Sequence, residues 1–220
     1  MSERPERRLY LIRHAKASHS SMGELDTPRG LVADPPLDDV GREQVEILTR
    51  RLLKMPRPAA LYVSPLARAR QTVALFERQS GMSAAVVDDL AEWFGGDWEF
   101  KEFEELIGEH PDMPNRVLMQ DPVFELAPGA ESKAEFQGRV VPAVEAALAS
   151  HPGGDVWIVC HGGVINAYLS HILGLHPRQE LFFLPPNTSL NTLRVIGEER
   201  FVWFIADDTH ITQPELYADR

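Results

Sequence analysis

The stretch DVWIVCHGGVINAYLSHILGL, residues 155–175, decides the fold class. Asp155 leads into an apolar run, Val156 to Cys160, which reads as a deeply buried strand. Gly162 and Gly163 then open a segment with the apolar content and length of a helix. A strand passing into a helix is the repeating unit of an α/β sheet. The same alternation continues outward. Leu9–Ile12 reads as a short buried strand, and Lys16–Pro36, rich in Ser, Gly, Asp and Pro, as a loop. Val45, Leu48, Leu52 and Leu53 give helical spacing between Gly41 and Lys54. A strand over 59–64 follows. Then comes a helix with Ser64 as its N-cap and Pro65 in its first turn. Residues 84–90 read as a third strand. Residues 92–128 are irregular, with a helix near 101–109. A helix over 136–150 precedes the stretch quoted above, and 189–196 and 200–206 close the chain as a strand pair. The reading is a single α/β domain, residues 1–220, with a largely parallel sheet.

Composition narrows the function. The 220 residues are 44% hydrophobic and 25% charged, as in an ordinary globular protein. No apolar run approaches the roughly 18 residues of a membrane span. The N-terminus lacks the apolar segment of a secretory signal. Cys160 is the only cysteine, which fits a reducing, cytoplasmic setting. A formal net charge of −11 argues against nucleic acid as a partner.

In α/β sheets, ligands sit beyond the carboxyl ends of strands. Arg13-His14 follows the first strand, Ser64 to Arg70 the second, Glu92 the third, and His161-Gly162-Gly163 the fourth. Two arginines, two histidines and a glutamate make a coherent set. Arginine binds phosphate through a planar, permanently charged fork. A neutral histidine can attack phosphorus and form a covalent intermediate. A second, protonated histidine can stabilise the charge that develops. A carboxyl group can protonate the leaving oxygen and then activate water. This chemistry requires no metal or other cofactor.

Seven segments, in order, resemble the histidine phosphatase superfamily, the phosphoglycerate-mutase-like proteins. They are YLIRHAKAS (10–18), PPLDDVGREQV (35–45), VSPLARARQTV (63–73), LAEWFGGDWEF (90–100), APGAESKAEFQGRV (127–140), VCHGGVI (159–165), and PPNTSLNTL with ADDTHI near the C-terminus. The resemblance implies a three-layer α/β/α sandwich. It also implies a metal-independent phosphomonoesterase acting on a small phosphorylated metabolite through a phosphohistidine. His14 would be the nucleophile. Arg13 and Arg68 would bind the phosphoryl oxygens, with His161 completing the pocket, and Glu92 would be the acid and base. Only the resemblance selects Arg68 over Arg70. Residues 93–128 would form a lid that sets specificity. Ser20 falls near a phosphate-binding asparagine of relatives and is a further pocket residue.

Ala15, Phe100 and Ala130 stand where relatives carry glycine, and Lys16 where many carry an acid. Asp97, Glu99, Glu102, Glu104 and Glu105 read as a solvated acidic face. Trp93, Phe94, Trp98 and Phe103 line a lid or fill a core. His19 reads as a loop histidine, and His110, His151, His171 and His176 as structural. Asp207, Asp208 and His210 read as strand-end or supporting groups, and Cys160 as a buried thiol. Three alternatives stand beside the phosphatase, one of them a metal-dependent hydrolase with His14, His161 and Glu92 as ligands, against which the neighbouring arginines argue. A phosphoglycerate-type mutase is disfavoured by the few basic residues in 100–128 and by the Gly-Ala-Glu-Ser stretch. A weak phospho-ligand-binding module would need a distorted pocket. A homodimer is left open.

Overall fold

The structure is a computed structural model and describes residues 6–18, 23–101, 103–118, 126–175 and 183–217. Strands β1 (Glu6–Arg13), β4 (Ala60–Val63), β5 (Ala85–Val86), β6 (Val156–Cys160), β7 (Leu190–Ile196) and β8 (Glu199–Asp207) form one sheet, ordered β5-β4-β6-β1-β7-β8. β5, β4, β6 and β1 are parallel; β7 and β8 add on antiparallel.

The two central strands are apolar on both faces, and successive side chains go to opposite sides. Leu9, Leu11, Val156, Ile158 and Cys160 pack against α5 (Lys133–Ala149) and α6 (Gly162–Ile172). Tyr10, Ile12, Trp157 and Val159 pack against α1 (Asp39–Lys54) and α2 (Ala67–Ser80). The result is a three-layer α/β/α sandwich. Burial of a large apolar side chain contributes about 1.5–3 kcal/mol, so these strands form a stiff platform. Arg13 pairs with Cys160, and Val63 with Val159. The residues that follow the three strands therefore emerge along one sheet edge.

Several local expectations change. Within 16–36 lies a hairpin of β2 (Glu24–Thr27) and β3 (Gly30–Ala33), with Gly30 at φ 125° where β3 leaves the turn. Neither strand alternates cleanly in sequence. The hairpin is held instead by Val32, buried with Leu66 and Ala91. Helix α2 begins at Ala67, after Leu66 in the cap position, so Ser64 is not its N-cap. Asp34, just past the hairpin, supplies that contact: its Oδ1 accepts from the Ala67 N–H at 2.7 Å. The third strand is only two residues long, and a 3-10 turn, Asp88–Leu90, carries the chain on to Glu92. In 92–128, α3 (Phe103–Glu109) and α4 (Met113–Leu118) accompany a small core of Trp98, Leu106, Met113 and Ala127. A last short helix, α7 (Thr209–Thr212), follows β8. Among the described residues, no helix is long and apolar enough to cross a membrane.

Candidate active site

The end of β1 delivers Arg13 and His14, and the end of β6 delivers His161. The two imidazoles lie 5.1 Å apart, centroid to centroid. The His14 ring nitrogen Nδ1 is 2.7 Å from the Ala15 carbonyl oxygen, which can only accept, so Nδ1 carries the proton. Nε2 keeps its lone pair. Burial, with the Arg68 and Arg13 charges adding to it, holds the His14 pKa down at about 3. The ring is neutral at physiological pH. Ala15 is fully buried, and its N–H donates to Thr72 Oγ1. The methyl group that replaces glycine there is accommodated in the core.

His161 is also buried and neutral. Burial first, then Arg68, His14 and Arg13, lower its pKa well below the ordinary value. The expected imidazolium is therefore not the form of the free protein. Its Nε2 lies 2.6 Å from Ser64 Oγ. Ser64 is thus a partner of His161, a role that its reading as a helix cap conceals. His161 Nδ1 and Arg13 Nε are buried without hydrogen-bond partners. An unpaired buried polar group costs about 1–3 kcal/mol. In the tautomer in which Ser64 Oγ–H donates to Nε2, His161 Nδ1 carries the proton, and anionic oxygens would then satisfy both nitrogens. Arg13 is aimed by a 2.6 Å bond from Nη1 to the Pro185 carbonyl. Arg68, on the first turn of α2, lies 4.0 Å from Asp34, with its side chain 13% exposed. Arg70, two residues on, is exposed.

Glu92 is held by two backbone donors, its own chain neighbour Trp93 N–H to Oε1 and Gly163 N–H to Oε2, both at 3.0 Å. Gly163 has no room for a side chain. A Cβ there would overlap Glu92 Oε1 and lie 3.0 Å from Cδ and 3.2 Å from the Phe136 ring. This glycine is a site residue that sequence reading passes over as a strand-to-helix turn. Its only sequence signal is the second glycine of His-Gly-Gly.

The structure thus brings together His14, His161, Arg13, Arg68 and Glu92; Ser20 and His19 lie outside the described residues. Lys16 pairs with Asp38 at 3.3 Å. Asp97, Glu104 and Glu105 are exposed, but Glu99 is not part of that solvated face. It is half-buried and accepts from Ala33 and Gly95 N–H, tying the hairpin to the 95–99 turn. Cys160 faces the α5/α6 core, where burial pushes its thiol up, away from nucleophilic use. His210 is fully buried, between Arg51 Nη1 on Nδ1 and Thr188 Oγ1 on Nε2. Thr188 N–H in turn donates to the Arg13 and His14 carbonyls, so His210 braces the backbone of His14 from behind. Among the described residues no cluster of three His, Cys, Asp or Glu side chains could hold a metal ion.

Three buried imidazoles with depressed pKa values make stability depend on pH. Burial puts His210 at about 4, His14 at about 3, and His161 lower than its ordinary value. The unfolded chain takes up these protons first. Their stabilising effect is complete above pH 6.5 and is lost as pH falls toward the folded values, at up to about 1.4 kcal/mol per pH unit per group. Urea unfolding should show stability falling between pH 6.5 and 5 by on the order of 3 kcal/mol from His14 and His210, with His161 acting in the same direction. A flat profile over that interval would contradict neutral burial of the three rings.

A family model described as the histidine phosphatase superfamily (branch 1) matches residues 9–208. The chain is 25% identical over 205 residues to a metal-independent phosphoserine phosphatase of Arabidopsis thaliana, covering 93% of this chain and 83% of that protein. It is 24% identical over 213 residues to phosphoglycerate mutase-like protein 4 of the same plant, covering 93% and 87%. Among solved structures, YhfR of Bacillus stearothermophilus superposes with a TM-score of 0.75 at 27% identity, over 93% of this chain and 98% of that one.

Proposed function

The chain belongs to branch 1 of the histidine phosphatase superfamily, and from that premise we propose that it hydrolyses small phosphomonoesters without a metal, through a phosphohistidine on His14. It is a phosphatase by family; the covalent route and the substrate are the reading proposed here. The observation that carries it is the state of His14. A neutral imidazole, its tautomer fixed by the Ala15 carbonyl, presents Nε2 under the positive potential of Arg13 and Arg68.

In this reading Arg13, Arg68 and the Nδ1–H of His161 hold the phosphoryl oxygens. His14 Nε2 attacks phosphorus as the ester P–O bond breaks. The leaving oxygen takes the proton of Glu92, and the alcohol departs. Water then gives its proton back to Glu92 and attacks phosphorus, releasing phosphate and restoring neutral His14. Residues 93–128, with their own small core around Trp98, act as the lid that contacts the alcohol portion.

Hydrolysis is favoured over mutase chemistry by the charges of that segment. Lys101 pairs with Glu109 at 2.6 Å and Arg116 with Asp112 at 2.7 Å, so its cations are neutralised locally. A site that must retain a doubly phosphorylated intermediate needs the opposite. The relative named as a phosphoserine phosphatase makes L-phosphoserine the first substrate to try. Phosphate release from L-phosphoserine and from 3-phosphoglycerate should persist in EDTA, with no 2-phosphoglycerate formed. Loss of activity in chelator would sink the metal-independent reading, and interconversion of phosphoglycerates would favour the mutase.

A further inference from the structure

Arg139, on the second turn of α5, touches none of the five site residues' side chains, yet its guanidinium is completely used. Nε and Nη2 donate to the two Glu131 carboxylate oxygens at 2.6 and 2.7 Å. Nη1 donates to the Asp89 and Ala91 carbonyls, both at 2.8 Å, and Nη2 also to the Glu92 carbonyl at 3.0 Å. Five N–H donors meet five acceptors, the full capacity of the side chain. The pair is buried, with Arg139 and Glu131 side chains 9% and 7% exposed.

Glu131 closes the brace from the other side. Phe94 N–H donates to its Oε2 at 3.3 Å, Trp93 Nε1 donates to its carbonyl, and its own N–H donates to the Phe94 carbonyl at 2.9 Å. Glu131 itself is set by the residue that follows it, because Ser132 and Glu135 form a capping box at the start of α5. The Arg139 guanidinium lies 4.6 Å over the Phe136 ring, the same ring that limits the space at Gly163. Residues 89–94 contain no helix longer than a 3-10 turn and no strand to hold them, and this ion pair takes the place of a strand register.

We propose that Arg139 and Glu131 are positioning residues that aim the Glu92 carboxyl group at the leaving oxygen. The inference rests on the acid role of Glu92 proposed above. A planar five-donor fork is required, so lysine, a compact cation with three donors, cannot replace Arg139.

The test uses two esters in the full-length protein. A nitrophenolate leaves without a proton, whereas the alkoxide of L-phosphoserine needs one. Arg139→Lys and Glu131→Gln should each lower kcat/KM for phosphoserine by on the order of 10²-fold and for p-nitrophenyl phosphate by no more than about threefold. The ratio of the two values is independent of how much of the variant is folded, so a destabilised protein still gives an answer. Glu92→Gln is measured beside them. If Glu92→Gln lowers the ratio and the brace variants do not, the brace has no positioning role and the Glu92 reading stands. If Glu92→Gln leaves the ratio unchanged, the acid role fails and the proposal falls with it. Equal loss on both esters in the brace variants would also overturn the proposal, because that is what a merely structural ion pair predicts.

Discussion

Replacement of His14 by alanine should abolish turnover, lowering kcat for any phosphomonoester by at least about 10⁴-fold, the scale seen when a covalent nucleophile is removed. The variant should still fold, since the substitution deletes a ring whose Nδ1 makes one bond to its chain neighbour's carbonyl. Wild-type protein mixed with ³²P-labelled substrate and quenched in alkali, where phosphohistidine survives, should carry label on the peptide containing His14. His14→Ala should carry none. The pH profile gives an independent check. With its pKa near 3, His14 remains a free base throughout the acid range. The acid limb of kcat/KM should therefore not fall through pH 6.5, where an ordinary histidine would lose its lone pair. Label on another residue, or full activity in the alanine variant, would remove His14 from the mechanism.

Gly163→Ala should be severely damaging to activity, although only one methyl group is added. Helix propensity alone predicts a gain, because alanine is favoured over glycine by about 0.5–1 kcal/mol. Local sterics oppose it. The new Cβ would occupy the place of Glu92 Oε1 and press on the Phe136 ring. The carboxylate must move, and it then leaves the Gly163 N–H that anchors its other oxygen. A misplaced general acid and base costs on the order of 10²–10³-fold in rate. Gly162→Ala is the comparison, because its Cβ would meet Arg13 Nε at an ordinary 3.6 Å, and the loss should be far smaller. Equal activities in the two variants would mean that the carboxyl group of Glu92 is not where the chemistry needs it.

Much of this arrangement is legible from the chain. The apolar runs 9–12 and 156–160 identify the two central strands, because only residues buried on both faces can be continuously apolar. Reading along the parallel strands then places His14, Ser64 and His161 at one edge. Other features are invisible at that level. The β2–β3 hairpin has no alternating pattern, because its apolar contacts are made to Leu66 and Ala91, distant in sequence. Ser64 has the local signature of a helix cap, and nothing nearby indicates that a histidine 97 residues away takes its hydroxyl. Glu99 sits in an acidic run, and only the fold shows that two backbone N–H groups claim its carboxylate.

Sequence by itself determined the α/β class and the order of the main elements and pointed to Arg13, His14, Glu92 and His161 as candidates, since periodicity and residue chemistry are local properties; Arg68 was singled out from Arg70 only by the family resemblance. Tertiary structure alone decided the state of these side chains. Neutrality of His14 and His161 follows from burial beside two guanidinium groups that come from β1 and α2. The aim of Glu92 follows from a glycine on α6 and an ion pair reaching across from α5. Protonation and orientation are set by desolvation and close packing, which depend on what lies within a few ångströms in space whatever the separation along the chain.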